Sequence, residues 1–185
     1  MLGGRQNMSI WHDIDANRIT PDDFIACIEI SKGSKNKYEV DKSTGMLILD
    51  RILYTATHYP SNYGFIPRTY ADDGDPLDVL VICSEPLVPL SLVRCYPIGQ
   101  IAMMDEGKED IKIIAIPFKD PMWNSFKKIE DLPTHIIEEM RHFFRVYKQL
   151  EGKKMNVLEM SGVDVAKKTI QDNIETYNKT FIERQ

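Results

Sequence analysis

The chain has 185 residues, of which 43% are apolar and 28% charged, and its formal net charge is −5. That length buries a sizeable core, and ten glycines and ten prolines exclude collagen-like and low-complexity chains. The acidic balance speaks against a nucleic-acid partner, although a local group of Lys and Arg on an acidic protein can still face a small anion.

Residues 1–20 read as an N-terminal tail and lead-in, Gly-rich and polar over Met1–Asn7, and residues 21–185 as a single domain. Phe24–Ile30 is a β-branched and aromatic run that predicts a strand. Lys37–Asp41 and Met46–Leu49 flank the turn signal Lys42-Ser43-Thr44-Gly45 and predict a hairpin. Tyr59–Pro67, aromatic and punctuated by Pro and Gly, reads as a packed loop. Leu77–Cys83 is almost continuously apolar, the pattern of a strand buried on both faces. Leu92–Met104 and Ile111–Ile116 follow as strands across the charged turn Asp105–Asp110, and Met155–Met160 as a last short strand. From about Asp131–Thr134 to Leu150, the residues Ile136, Ile137, Met140, Phe143, Phe144, Tyr147 and Leu150 recur every three or four positions and make one helix face, with Gly152 as its stop. A second stripe of Val163, Ala166, Ile170, Ile174, Tyr177 and Phe181 marks a C-terminal helix over about 161–183. The fold class that follows is mainly β with α: a barrel or strongly curved sheet over about 21–160, with two helices packed on it.

The segment Asp72-Asp73-Gly74-Asp75-Pro76-Leu77-Asp78 sets acids directly against an apolar strand. Gly74 and Pro76 define a bend, and strand alternation places Asp78 on the face opposite Leu77 and Val79. Like charges about 4 Å apart repel by about 4 kcal/mol at an effective dielectric of about 20. Such a cluster calls for cations or raised pKa values, and magnesium, which takes oxygen ligands, is the natural partner. An EF-hand is excluded, because its twelfth position would be Cys83 or Ser84 rather than Glu. The simpler alternative is a polar turn whose carboxylates bond their own backbone. The turn Asp105–Asp110, read alone, is a charged hairpin loop; both acidic turns stand at strand ends, from which they can converge on one cluster.

Lys37 and Glu39 share a strand face, as do Asp110 and Lys112, and Arg51 closely follows the run Leu47-Ile48-Leu49. Taken singly, each of these cations reads as a surface charge. Tyr59 and Tyr63 lie just upstream of the acidic bend, where hydroxyls reach a phosphate or a carboxylate, and Lys148 follows Tyr147 of the helix stripe. The histidines His12, His58, His135 and His142 show no metal-ligand spacing. Cys27, Cys83 and Cys95 are odd in number and form no CxxC, so a disulfide framework and a structural zinc site are not expected and a reducing cytoplasmic compartment is. No apolar run approaches the ~20 residues that span a bilayer, so no membrane partner is expected.

Together these segments resemble the family I soluble inorganic pyrophosphatases of bacterial type. The family's D-x-D-P-x-D signature stands here as Asp73-Gly74-Asp75-Pro76-Leu77-Asp78. The match continues through Glu29, Lys37–Lys42, Asp50-Arg51, Tyr59–Gly64, the Asp105–Lys112 turn, and His142-Phe143-Phe144 with Tyr147-Lys148, over about residues 21–166. The resemblance implies a closed five-stranded OB-like β-barrel with two flanking helices, and hydrolysis of pyrophosphate to two orthophosphates with several Mg2+ ions as cofactor. It implies Asp73, Asp78, Asp105, Asp110, Glu29 and Glu39 as metal ligands. It implies Asp75 as general base, with Tyr63 hydrogen-bonded beside the nucleophile and Tyr59 behind it. Lys37, Arg51, Lys112, Tyr147 and Lys148 become the phosphate-binding set, and the chain a homohexamer. Three alternatives stand beside it: a domain that holds metal only for structure, an OB-type nucleic-acid binder, and a phosphohydrolase acting on nucleotides or monoesters. Loops that are acidic rather than basic and aromatic argue against the second.

Overall fold

The computed structural model describes residues 9–105, 107–153 and 156–183, so the expectations for Met1–Asn7, Glu106 and Met155 fall outside the described residues. In chain order the strands are β1 (Phe24–Ile30), β2 (Asn36–Val40), β3 (Leu47–Ile52), β4 (Asn62–Phe65), β5 (Asp78–Val81), β6 (Leu92–Asp105), β7 (Lys108–Pro117) and β8 (Asn156–Gly162). The helices are α1 (Thr134–Val146) and α2 (Val163–Tyr177).

Hydrogen bonding runs β1–β4–β5–β7–β6 and returns from β6 to β1, so five strands close into a ring, with β8 added outside on β6. The hairpin β2–β3 forms a separate two-stranded sheet. β6 makes closure possible by changing neighbours along its length. Leu92–Cys95 pair with β1, whereas Gly99–Met104 pair with β8. Between them the register with β7 slips at Pro97–Gly99, where an irregularity and a residue without a backbone donor bend the strand.

Alternation along β5 and β7 divides the apolar interior in two. Leu80, Ile114 and Ile116 belong to one cluster with Met140, Phe143 and Phe144 of α1. Val79, Val81, Ile113 and Ala115 belong to the other, with Ala166 and Ile170 of α2. Parallel pairing of β5 with β7 accounts for their nearly continuous apolar runs, since both faces are covered.

The predicted strand Phe24–Ile30, the hairpin, and the strands around Asp105–Asp110 are present. Several boundaries differ: β3 runs on to Ile52 and so holds Arg51, and β7 starts at Lys108, inside the turn expected over Asp105–Asp110. Tyr59–Pro67 is not all loop: Asn62–Phe65 is a buried strand between β1 and β4's other neighbour β5. Gly64, read as a loop signal, serves strand contact instead, because a Cβ there would stand 1.8 Å from the carbonyl oxygen of Cys27 on β1. α1 stops at Val146, and a short 3-10 turn over Gln149–Glu151 ends at Gly152, so Leu150 is exposed rather than on the core face. Ser161 belongs to β8, and α2 begins at Val163, with Asp164 in its first turn where a carboxylate suits the helix dipole. Cys27, Cys83 and Cys95 are buried and free. Among the described residues no helix is long and apolar enough to cross a membrane.

Candidate active site

The acidic bend is fixed by its own backbone. Ala71 N donates to Asp75 O at 2.8 Å, Gly74 N to Ala71 O at 3.0 Å, and Asp75 N to Asp73 Oδ1 at 3.0 Å. Gly74 has φ 91°, a left-handed conformation that a side chain resists. The bend delivers Asp73, Asp75 and Asp78 to a cleft of about 260 Å³, which Glu29, Lys37, Glu39, Tyr63, Asp110, Lys112, Tyr147 and Lys148 also line. Four strands of the ring, strand β2 of the hairpin and the segment just after α1 therefore meet there. Of the residues singled out from the sequence for the site, Tyr59, Arg51 and Asp105 lie outside this lining.

Lys112 is the hub. Its register partner across the parallel pair is Asp78, and Asp110 precedes it on the same face of β7. The ammonium is almost fully buried and donates to Asp78 Oδ2 at 2.6 Å, Asp110 Oδ1 at 2.9 Å and Tyr63 Oη at 2.9 Å. Three protons thus meet three oxygens. Burial opposes its charge, but Asp78 and Asp110 more than offset that, so its pKa is raised and it stays protonated. Tyr63 Oη in turn donates to Asp78 Oδ2, and burial with the nearby Asp78 charge raises the Tyr63 pKa well above the usual phenol range. Tyr63 is a proton donor here, not a phenolate. Tyr59 packs between Tyr63 and Phe143, with ring centroids 5.3 and 4.8 Å away.

A second ion pair joins the end of α1 to the β6–β7 turn. Lys148 Nζ donates to Asp105 Oδ2 at 2.6 Å, while Asp105 Oδ1 is buried with no hydrogen-bond partner among the described residues. Arg51 is held by Glu151 Oε1 at 2.9 Å and by Asp50, and Lys37 pairs with Glu39 across one strand face. Glu29 accepts from Val40 N at 2.7 Å, and burial pushes its carboxyl up to about 8. His58, His135 and His142 are exposed, whereas His12 Nδ1 stands 2.8 Å from Tyr177 Oη.

Ser9, Ile10, Trp11, Tyr38, Asp41 and Lys42 also line the cleft, and sequence reasoning gave none of them a site role. The lead-in before Pro21 carries no catalytic spacing, so Trp11 had no signal beyond its size. Lys42 stands in the resembling segment but reads locally as a turn residue.

Among the described residues, no three His, Cys, Asp or Glu side chains form a ready chelating group. Ammonium groups instead separate the acids: Lys112 between Asp78 and Asp110, Lys148 on Asp105, Lys42 on Asp75. The donor set nevertheless fits a hard divalent cation. Its oxygens are all carboxylate oxygens, and Asp105 Oδ1 is a buried acceptor that meets no donor among the described residues.

The model of the inorganic pyrophosphatase family matches residues 26–178. Soluble inorganic pyrophosphatase 2 of Chlamydomonas reinhardtii is 44% identical over 176 residues, covering 95% of this chain and 91% of that protein. An inorganic pyrophosphatase of Aquifex pyrophilus is 47% identical over 172 residues, covering 91% of this chain and 97% of its own. The crystal structure of inorganic pyrophosphatase from Thermus thermophilus superposes with a TM-score of 0.83 at 38% identity, over 85% of this chain and 92% of that one.

Proposed function

The chain belongs to the inorganic pyrophosphatase family, and from that premise we propose that it hydrolyses pyrophosphate to two orthophosphates in this cleft, by in-line attack of water, with magnesium as cofactor. The observation that carries this reading is the convergence of Asp73, Asp75, Asp78 and Asp110 with Lys37, Lys112 and Lys148 on one small cleft. Asp73, Asp78, Asp105, Asp110, Glu29 and Glu39 are the residues that would hold the magnesium ions. Magnesium, when bound, lowers the pKa of water and neutralises phosphate charge.

The chain's own residues supply the rest. Asp75, on the exposed rim of the bend, takes the proton of the attacking water. Tyr63 keeps its proton and fixes the orientation of Asp78. Lys112 holds Asp78 and Asp110 at a set spacing and supplies a buried positive charge beside the phosphates. Lys37, Lys148 and Tyr147 bind phosphate oxygens, and Arg51 joins them by leaving Glu151. Little covalent protein chemistry is needed, as is general for phosphoryl transfer.

The test is phosphate release from pyrophosphate with magnesium and with EDTA, beside ATP and p-nitrophenyl phosphate. Fast release that needs magnesium and favours pyrophosphate is expected. Folded protein that releases none would refute the reading. The same reading treats residues 21–185 as one domain, in line with the family match over 26–178. It makes the protein a cytoplasmic homohexamer, a state favoured by its buried free cysteines and by the apolar residues Met46, Ile48 and Ile52 exposed on the hairpin. Sedimentation at the mass of a monomer would remove the hexamer.

A further inference from the structure

The N-terminal segment is tied to the acidic bend by several independent contacts. Trp11 Nε1 donates to Thr69 O at 2.9 Å, and Arg68 N donates to Trp11 O at 3.0 Å. The Arg68 guanidinium donates to His12 O at 2.7 Å and to Ile14 O at 3.2 Å. Thr69, which receives the indole, is itself bonded at the base of the bend, where Leu77 N donates to its Oγ1 at 2.8 Å. The indole ring stacks on His12 at 4.6 Å between centroids and meets Phe181 edge-on at 5.4 Å. Its orientation is therefore set by hydrogen bonds and by ring packing.

That fixed ring carries a cation. Lys42 Nζ lies 5.1 Å from the centroid of Trp11, and the same ammonium pairs with Asp75 Oδ1. Lys42 comes from the β2–β3 turn, and half of its side chain is open to water. A lysine on an open turn loses much rotamer freedom when it is held, so a lone surface ion pair is worth little. An aromatic face behind the ammonium supplies a second attraction and limits where it can stand.

We propose that Trp11 and Lys42 are positioning residues for the reaction: the indole places Lys42, and Lys42 holds the Asp75 carboxylate in the orientation from which it takes the proton of the attacking water. The pairing engages one carboxylate oxygen and leaves the second to accept that proton. This inference rests on the reading of Asp75 as the base.

The test measures kcat and KM for Lys42→Met, Lys42→Arg and Trp11→Leu, each alone and in an Asp75→Asn background. Lys42→Met is expected to lower kcat about ten- to a hundredfold with KM nearly unchanged, since misplacement of a reacting group costs up to about a hundredfold. Lys42→Arg restores most of the rate, since a guanidinium keeps both the ring contact and the ion pair. Trp11→Leu, assayed well below its melting temperature, lowers kcat in the same way. In the Asp75→Asn background none of the three changes the residual rate. A spectroscopic readout stands apart from turnover: in Trp123→Phe protein Trp11 is the remaining tryptophan, and its emission shifts in Lys42→Met and returns in Lys42→Arg. Unchanged kcat in Lys42→Met, or an equal fall with and without Asp75, would overturn the proposal. Full activity of Asp75→Asn alone would instead sink the reading of the base.

Discussion

On the α2 side of β5 and β7 the core is built from Val79, Val81, Ile113, Ala115, Ala166 and Ile170, with no ionisable group of the cleft among them. On the α1 side the core takes in Tyr59, Tyr63 and Tyr147 and leads to the buried ammonium of Lys112. The same two strands serve both. Burying hydroxyls and charges costs desolvation unless each is paired, and the cluster beneath α2 contains neither. The α1 side keeps it where the proposed chemistry takes place. One face of these strands supplies stability, while the other gives up part of it to hold a polar constellation.

The comparison is sharpened most by Asp75→Asn. The residue stands on the exposed rim, so the melting temperature is expected to stay within a degree or two. Turnover is expected to fall about 10²–10⁴-fold, the usual contribution of a general base. Next comes Lys112→Met, which leaves the partly buried carboxylates of Asp78 and Asp110 side by side without their cation. About 3 kcal/mol of stability, the low end for a buried pair because both carboxylates keep some exposure, is expected to be lost in urea unfolding without metal, and magnesium is expected to restore part of it. An unchanged midpoint would mean that water, not Lys112, balances these acids.

The α2 side offers the opposite experiment. Ile170→Ala removes a fully buried side chain of the α2-side cluster, none of whose members lines the cleft, and is expected to cost about 2–5 kcal/mol. At a temperature where the variant is still folded, its kcat is expected to match the native value. A fall in kcat would show that the two cores are coupled, and the division drawn above would fail.

How much of this was legible depends on whether a feature is local. β1 and the β2–β3 hairpin follow from short patterns and a turn, and both appear where expected. Asp73, Asp75 and Asp78 stood out because carboxylates against an apolar run conflict with local solvation. Their meeting with Asp110 and Lys112 was not legible from spacing, since it depends on the parallel register of β5 with β7. The family resemblance supplied what the spacing could not. β4 was obscured because Gly64 looks like a turn residue until Cys27 is placed against it. The helix stripe ran on to Leu150 because periodicity does not record where a helix stops. Trp11 bonds a residue 58 positions away, a separation that no local pattern encodes.

The smallest expected effect lies on β1, where Glu29 is buried at the edge of the α1-side constellation. Burial raises its carboxyl from about 4.5 to about 8; the hydrogen bond from Val40 N offsets part of that, while Asp78 and Glu39 add to it. Between those two values the folded chain holds a proton that the unfolded chain has released. Stability without metal is therefore intact below about pH 4.5 and falls as the pH rises toward 8. Glu29→Gln removes the ionisation yet keeps an acceptor for Val40 N. The variant and the native protein are expected to melt together near pH 4, and the variant to gain on the order of 2 kcal/mol, or ~4–8 °C, near pH 8. Magnesium is expected to narrow that gap, because only the native carboxylate can act as the proposed ligand. A gap that is the same at both pH values would mean that Glu29 is already ionised in the folded chain, and that this part of the α1 side is wetter than its burial implies.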